Sequence, residues 1–203
     1  MKSSKKKKIL NIDLIQKYYP DLYSHLDYPN EMIYEHLLNS AIEHPNYIAY
    51  EYYGREVTYQ NFVEQISVCA KALKGMGTME DEVITICMPN TPEALKMFYA
   101  INMIGCIANI IHPLSSENEI LNYLQISNST KIVTIDIAVE KIVNILPETK
   151  ITDIIVASAS ENMKLNRKFL YWLAKGRKMH LPECSLIMTW SEFIPKGFDY
   201  TGE

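Results

Sequence analysis

Four short runs of β-forming residues recur along the middle of the chain: residues 83–88 (VITICM), 106–111 (CIANII), 131–136 (KIVTID) and 153–157 (DIIVA). Their starts lie 23, 25 and 22 residues apart. Between them, apolar residues return at three- and four-residue spacing, first at Ala94, Met97, Phe98, Ile101 and Ile104, then at Ile120, Tyr123 and Leu124, then at Val139, Ile142, Val143 and Leu146. That period predicts amphipathic helices, and strand, helix, strand at this spacing is the βαβ unit. VITICM and CIANII are apolar at both parities, which suits parallel strands covered by helices on each side. The expected fold is therefore α/β, with parallel-sheet βαβ units and helices on both faces.

Upstream, the stripe Phe62, Ile66, Cys69, Ala70 and Leu73 predicts a helix over residues 58–74, closed by Gly75-Met76-Gly77. This glycine pair follows a helix and precedes a strand, the reverse of a dinucleotide fingerprint. Residues 47–53 and 56–59 flank Gly54-Arg55 and predict a small β-hairpin ahead of that helix. A first helix is expected over residues 32–43, stopping before Pro45.

Charge divides the chain in the same way. Residues 1–8 hold five lysines and no acid, residues 9–160 hold eight basic and nineteen acidic groups, and residues 161–203 hold seven basic and five acidic. We therefore expect a solvated tail and lead-in over 1–30, an acidic α/β unit over 31–160, and a basic amphipathic helix with a connecting segment over 161–203. At 203 residues and 48% hydrophobic content the chain can bury a sizeable core, and its net charge of -4 lacks the basic footprint of a nucleic-acid binder. It contains no apolar run of membrane-spanning length and no secretory leader pattern, so a cytoplasmic location is expected. Cys69, Cys87, Cys106 and Cys184 form no C-x-x-C pair, and the five histidines show no ligand spacing. Reduced, buried, inert thiols and no metal site are expected.

In a doubly wound sheet, ligands sit at the carboxyl ends of the strands. Two such ends carry polar residues. In Met88-Pro89-Asn90-Thr91-Pro92-Glu93, free amides at the helix start could hold an anion, or Thr91 and Glu93 could already satisfy them as an ordinary cap. After Ile111, His112-Pro113 leads to a capping box, Ser116 with Glu119, and His112 is either a pocket histidine or a hydrogen-bonded turn residue. Asn90, Thr91 and His112 are the candidate substrate-binding residues. No nucleophile elbow, Walker loop or Gly-rich phosphate cradle occurs, and no catalytic residue is assigned. Leu165, Phe169, Trp172 and Leu173, among basic residues over 163–178, predict an amphipathic helix that either docks on its own domain or touches an anionic membrane.

An ordered series of these pieces resembles the start of the AMP-binding domain of adenylate-forming enzymes. The series runs from Tyr47-Ile48-Ala49-Tyr50 through Gly54-Arg55-Glu56-Val57-Thr58-Tyr59, the 70–77 helix end and 82–93 with its N-x-x-E at Asn90 and Glu93, to the small-residue segment ending in His112-Pro113 and the helix and strand over 114–136. The closest flavour is the fatty acyl-CoA synthetase type.

The resemblance implies the N-terminal subdomain of that fold, within an enzyme that activates a carboxylic acid of the fatty type with ATP and Mg²⁺ as an acyl-adenylate and passes it to coenzyme A. The family's Ser/Thr/Gly-rich phosphate loop, its adenine and ribose segments and its late lysine are absent from these residues. The chain is accordingly expected to be inactive alone, to bind none of these cofactors by itself, to need the remainder of a ligase as partner, and to self-associate through exposed apolar surface or sheet edge. The rival expectation is a stand-alone binding or interaction module on the same scaffold.

Overall fold

The computed structural model describes residues 17, 29–158 and 181–202. The chain divides into two units, Met1–Glu31 and Met32–Glu203, and the architecture below is that of the second. Helix α1 (Ile33–Glu43) leads to a two-stranded antiparallel hairpin, β1 (Ile48–Tyr52) and β2 (Arg55–Thr58), then to α2 (Tyr59–Gly75). An alternating series follows: β3 (Val83–Cys87), α3 (Pro92–Met103), β4 (Ile107–Ile111), α4 (Glu117–Ser127), β5 (Lys131–Ile135), α5 (Asp136–Ile145) and β6 (Asp153–Ala157). The described chain closes with β7 (Ile187–Thr189) and α6 (Trp190–Asp199).

The five later strands form one parallel sheet in the order β4-β3-β5-β6-β7. Side chains alternate between two cores, as the two-residue strand period requires. Ile84 and Ile86 of β3, Val133 and Ile135 of β5 and Ile155 and Ala157 of β6 face a core shared with α1, α2, α3 and α6. Cys87, Ile132, Ile154 and Val156 face a second core shared with α4 and α5. Both faces of the central strands are thus dry, which is why their sequences read as unbroken apolar runs.

Local chemistry sets the element ends. Thr58 accepts the Asn61 N–H at the start of α2 (3.3 Å), and the Ser116–Glu119 capping box opens α4 as the sequence predicts. The hairpin turns one residue earlier than expected. Tyr53 (φ 48°) and Gly54 (φ 81°) occupy the two left-handed positions of the turn, while Arg55 already pairs with Tyr52. Two consecutive positive φ values are what a two-residue hairpin turn with the right twist demands.

Two expectations are corrected. CIANII was expected to be covered on each side, but β4 is the outer strand: Ile107 is 51% and Ile110 61% exposed. Residues 187–199 were expected to be a connecting segment and instead form the fifth strand and a helix whose Trp190 and Phe193 are buried in the first core. The physical reason is a close helix–helix approach. A Cβ at Gly197 would stand 2.1 Å from the Val68 carbonyl oxygen, so only glycine lets α6 lie this near α2. The basic helix expected over 163–178 lies outside the described residues.

Candidate functional site

The strand order reverses at β3. The chain moves from β3 outward to β4, then crosses back over β3 to β5, with α3 on one face and α4 and α5 on the other. The crevice outside the carboxyl ends of β3 and β5 is therefore the topological switch point, where doubly wound folds bind ligands. Thr134 ties the two strands at this end by donating its hydroxyl to the Cys87 carbonyl (3.1 Å).

The three candidates come to this same end of the sheet but differ in what they can do. Thr91 is buried and is the N-cap of α3: its hydroxyl accepts the Ala94 N–H (3.4 Å), with Pro92 at the first helical position. Asn90, one residue earlier, is exposed at the rim. His112, also exposed, follows the neighbouring strand and accepts the Leu114 N–H through Nδ1 (3.2 Å), while its carbonyl accepts the Ser115 N–H (3.1 Å). That is the geometry of a turn residue. On the β5 side a cavity of about 400 Å³ is lined by Asp136, Ile137, Val139, Glu140, Leu181 and Pro182.

Sequence reasoning missed a buried cluster just behind the β3–α3 loop. Glu93 does more than complement the helix dipole. Its carboxylate lies 3.8 Å from the Lys96 ammonium, and both side chains are buried. Lys96 Nζ also sits 5.2 Å over the Trp190 ring, a cation–π contact. The Tyr50 hydroxyl and the Cys69 thiol complete the surroundings, both pushed up to about 12, chiefly by burial. The available signal was the i,i+3 spacing that sets Glu93 and Lys96 on the apolar stripe of α3 with Ala100. A second polar group, Thr85, Asn109, Ser127 and Ser129, links hydroxyl and amide groups beneath α4, with Thr85 and Ser129 2.6 Å apart.

Cys69, Cys87 and Cys106 are buried free thiols, all raised above the ordinary range, with burial the largest cause in each. They are inert packing groups at neutral pH. Among the described residues, no group of three His, Cys, Asp or Glu side chains could hold a metal ion, and no helix is long and apolar enough to cross a membrane.

A parallel sheet in the order β4-β3-β5-β6-β7 with helices on both faces and a switch-point crevice defines a doubly wound α/β fold. Residues 37–181 match the AMP-binding enzyme family, and the chain belongs to it. It is 23% identical over 167 residues to a long-chain-fatty-acid–CoA ligase of Bacillus subtilis (strain 168), a match covering 82% of this chain and 30% of that protein. It is 30% identical over 132 residues to an acetyl-coenzyme A synthetase of Bartonella quintana (strain Toulouse), covering 62% of this chain and 19% of that one. Among solved structures it is similar to coronafacic acid ligase from Pectobacterium brasiliense (TM-score 0.63, 19% identity, 85% of this chain and 31% of that one) and to a Mycobacterium tuberculosis fatty acyl CoA synthetase (TM-score 0.60, 22% identity, 78% and 32%). At those identities the structural likeness shows the fold. The chain spans about 30% of the length of the Bacillus ligase.

The family uses ATP and coenzyme A, with Mg²⁺ typical. The residues at the switch point do not fit the nucleotide by themselves. The Thr91 hydroxyl already occupies one amide of the α3 start, the loop Pro89-Asn90 has no glycine with which to wrap phosphates, and Asp136 and Glu140 place negative charge beside the β5 end.

Proposed function

We propose that these residues are the amino-terminal scaffold of an AMP-forming acyl-CoA ligase acting on a carboxylic, fatty-type acid. In this reading the whole enzyme activates the acid with ATP and Mg²⁺ and transfers it to coenzyme A, and the described residues contribute the sheet, the switch-point rim at Asn90 and Thr91, and the turn at His112. The observation that carries the reading is the family match over residues 37–181, joined to a span of 30% of a long-chain-fatty-acid–CoA ligase. The acid is the finest part of the proposal and rests on that relative.

The 203-residue chain is inactive alone in this proposal, because the groups that would stabilise a pentavalent phosphorus and a leaving pyrophosphate need a cradle these residues do not supply. Its partner is the remainder of the ligase and its location cytoplasmic. The isolated chain also self-associates.

Two measurements test this. The native product in its source cells, detected by an antibody to this chain, is expected to exceed twice the 23.4 kDa of these 203 residues. A product of 23.4 kDa would favour the stand-alone module. ATP–pyrophosphate exchange by the purified chain with fatty acids is expected at background, and turnover that scales with protein concentration overturns the assignment of inactivity.

A further inference from the structure

Strand β4 lies at the outside of the sheet among the described residues, yet it is built like an inside strand. Its sequence, Ile107-Ala108-Asn109-Ile110-Ile111, holds no charge and no proline, the two commonest devices that keep a free edge from pairing. Ile107 and Ile110 stand at opposite parity, so each face of the sheet leaves an isoleucine more than half exposed at this edge. Asn109 does not guard it, because its amide is turned inward onto Thr85 (2.9 Å) and Ser127 (3.2 Å). The Ile107 N–H bonds to the Glu82 carbonyl on the β3 side (3.0 Å), and by strand alternation the backbone groups of Ala108 and Ile110 point outward, ready to pair.

We infer that this edge is an interface with a second copy of the chain, formed by antiparallel pairing of β4 with β4 about Asn109. In that register Ile107 meets the second copy's Ile111 and Ala108 meets its Ile110, so apolar residues match apolar residues on both faces. A strand nearly palindromic in polarity is what a two-fold, self-complementary interface requires. Polar residues stand at both strand ends. The Asp81 N–H bonds to the Gly105 carbonyl (3.0 Å), so the acidic turn Glu80-Asp81 flanks the entry to β4, and exposed His112 flanks its exit. Antiparallel pairing brings the exit of one copy to the entry of the other. Two five-stranded sheets become one of ten strands, and two uncharged edges are removed from water.

This names the surface for the self-association proposed above and rests on that proposal, but not on the ligase reading. The test is sedimentation of the 203-residue chain over about 1 to 100 µM, a range that brackets micromolar association. A monomer–dimer equilibrium is expected. Ile110→Lys and Ile107→Lys should each raise the dimer dissociation constant on the order of a hundredfold, since each change removes two buried side chains per dimer. Phe198→Lys, an exposed position on α6 next to the far strands, should leave it unchanged. Unfolding midpoints confirm that each variant folds. A monomeric wild-type chain overturns self-association altogether, including one whose β4 amides resist hydrogen exchange because another segment of the same chain covers them. A dimer insensitive to both edge variants, or weakened equally by Phe198→Lys, leaves self-association standing and overturns the β4 interface.

Discussion

Replacing Lys131 with methionine should cost about 2–3 kcal/mol of folding stability, and the structure shows why. Lys131 opens β5, Glu82 stands just before β3 and Asp153 opens β6, so the lysine stitches three neighbouring strands at their amino ends. Its ammonium lies 2.6 Å from Glu82 and 4.0 Å from Asp153. The side chains of Lys131 and Glu82 are only 7% and 15% exposed. An exposed ion pair contributes about 0–1 kcal/mol, whereas stranding one partner of a buried pair costs about 3–5 kcal/mol. Glu82 keeps the Thr130 hydroxyl and the Met79 N–H (3.0 Å) as donors, which places the loss just under the buried range.

Urea titrations at neutral pH would read this as a lower midpoint with an unchanged slope. The double change Glu82→Gln with Lys131→Met should recover most of the loss, because the buried Glu82 charge is then gone and Asp153, its side chain 33% exposed, keeps water. A loss below about 1 kcal/mol for Lys131→Met would refute the reasoning, since the pair would then behave as an exposed one.

The acid limb gives an independent check. Burial pushes the Glu82 carboxyl up, but hydrogen bonds from Lys131, Thr130 and the Met79 backbone, together with the lysine charge, outweigh it and hold the group below the ordinary range. A carboxyl lowered by folding contributes stability that is complete above its unfolded value of about 4.3 and disappears as pH falls through the lower folded value. Lys131→Met should flatten that acid-side dependence.

Phe193→Ala removes a fully buried ring between α6 and the first core and should cost about 3–5 kcal/mol in the same titration. A cost near zero would mean that α6 is no part of the core. Gly197→Ala places a methyl against the Val68 carbonyl and should destabilise by about 1–3 kcal/mol, against the stabilisation that glycine-to-alanine brings in an unobstructed helix. Thr91→Ala should lose about 0.5–2 kcal/mol as a helix cap, with Thr91→Ser close to wild type. A loss on Thr91→Ser equal to that of alanine would argue that the methyl, and not the cap, matters there.

How much was legible in the sequence depends on how local the cause is. Strands β3 to β6 and helices α2 to α5 were readable because each is buried by its own period: the apolar run of a two-faced strand, the stripe of a helix, and caps such as Thr58, Ser116 and Thr91 that hydrogen-bond within three residues. The candidate rim followed, since the polar residues at Asn90, Thr91 and His112 come directly after those strands. The structure gave two of the three ordinary work, Thr91 as a cap and His112 in a turn. Neither role needed more than adjacent residues to foresee.

What only the tertiary structure decided lies where the cause is distant in sequence. Residues 190–199 contain Pro195 and Gly197, which locally oppose a helix, yet the segment is helical because Trp190 and Phe193 have a core to enter and Gly197 lets α6 meet α2. Glu93 and Lys96 are tolerable inside because they meet each other and because Trp190, almost a hundred residues on, roofs the lysine. The same holds for β4. Its apolar residues announced a strand, but strand order is set by crossovers and pairing partners that no window of sequence contains, and order alone made it an edge.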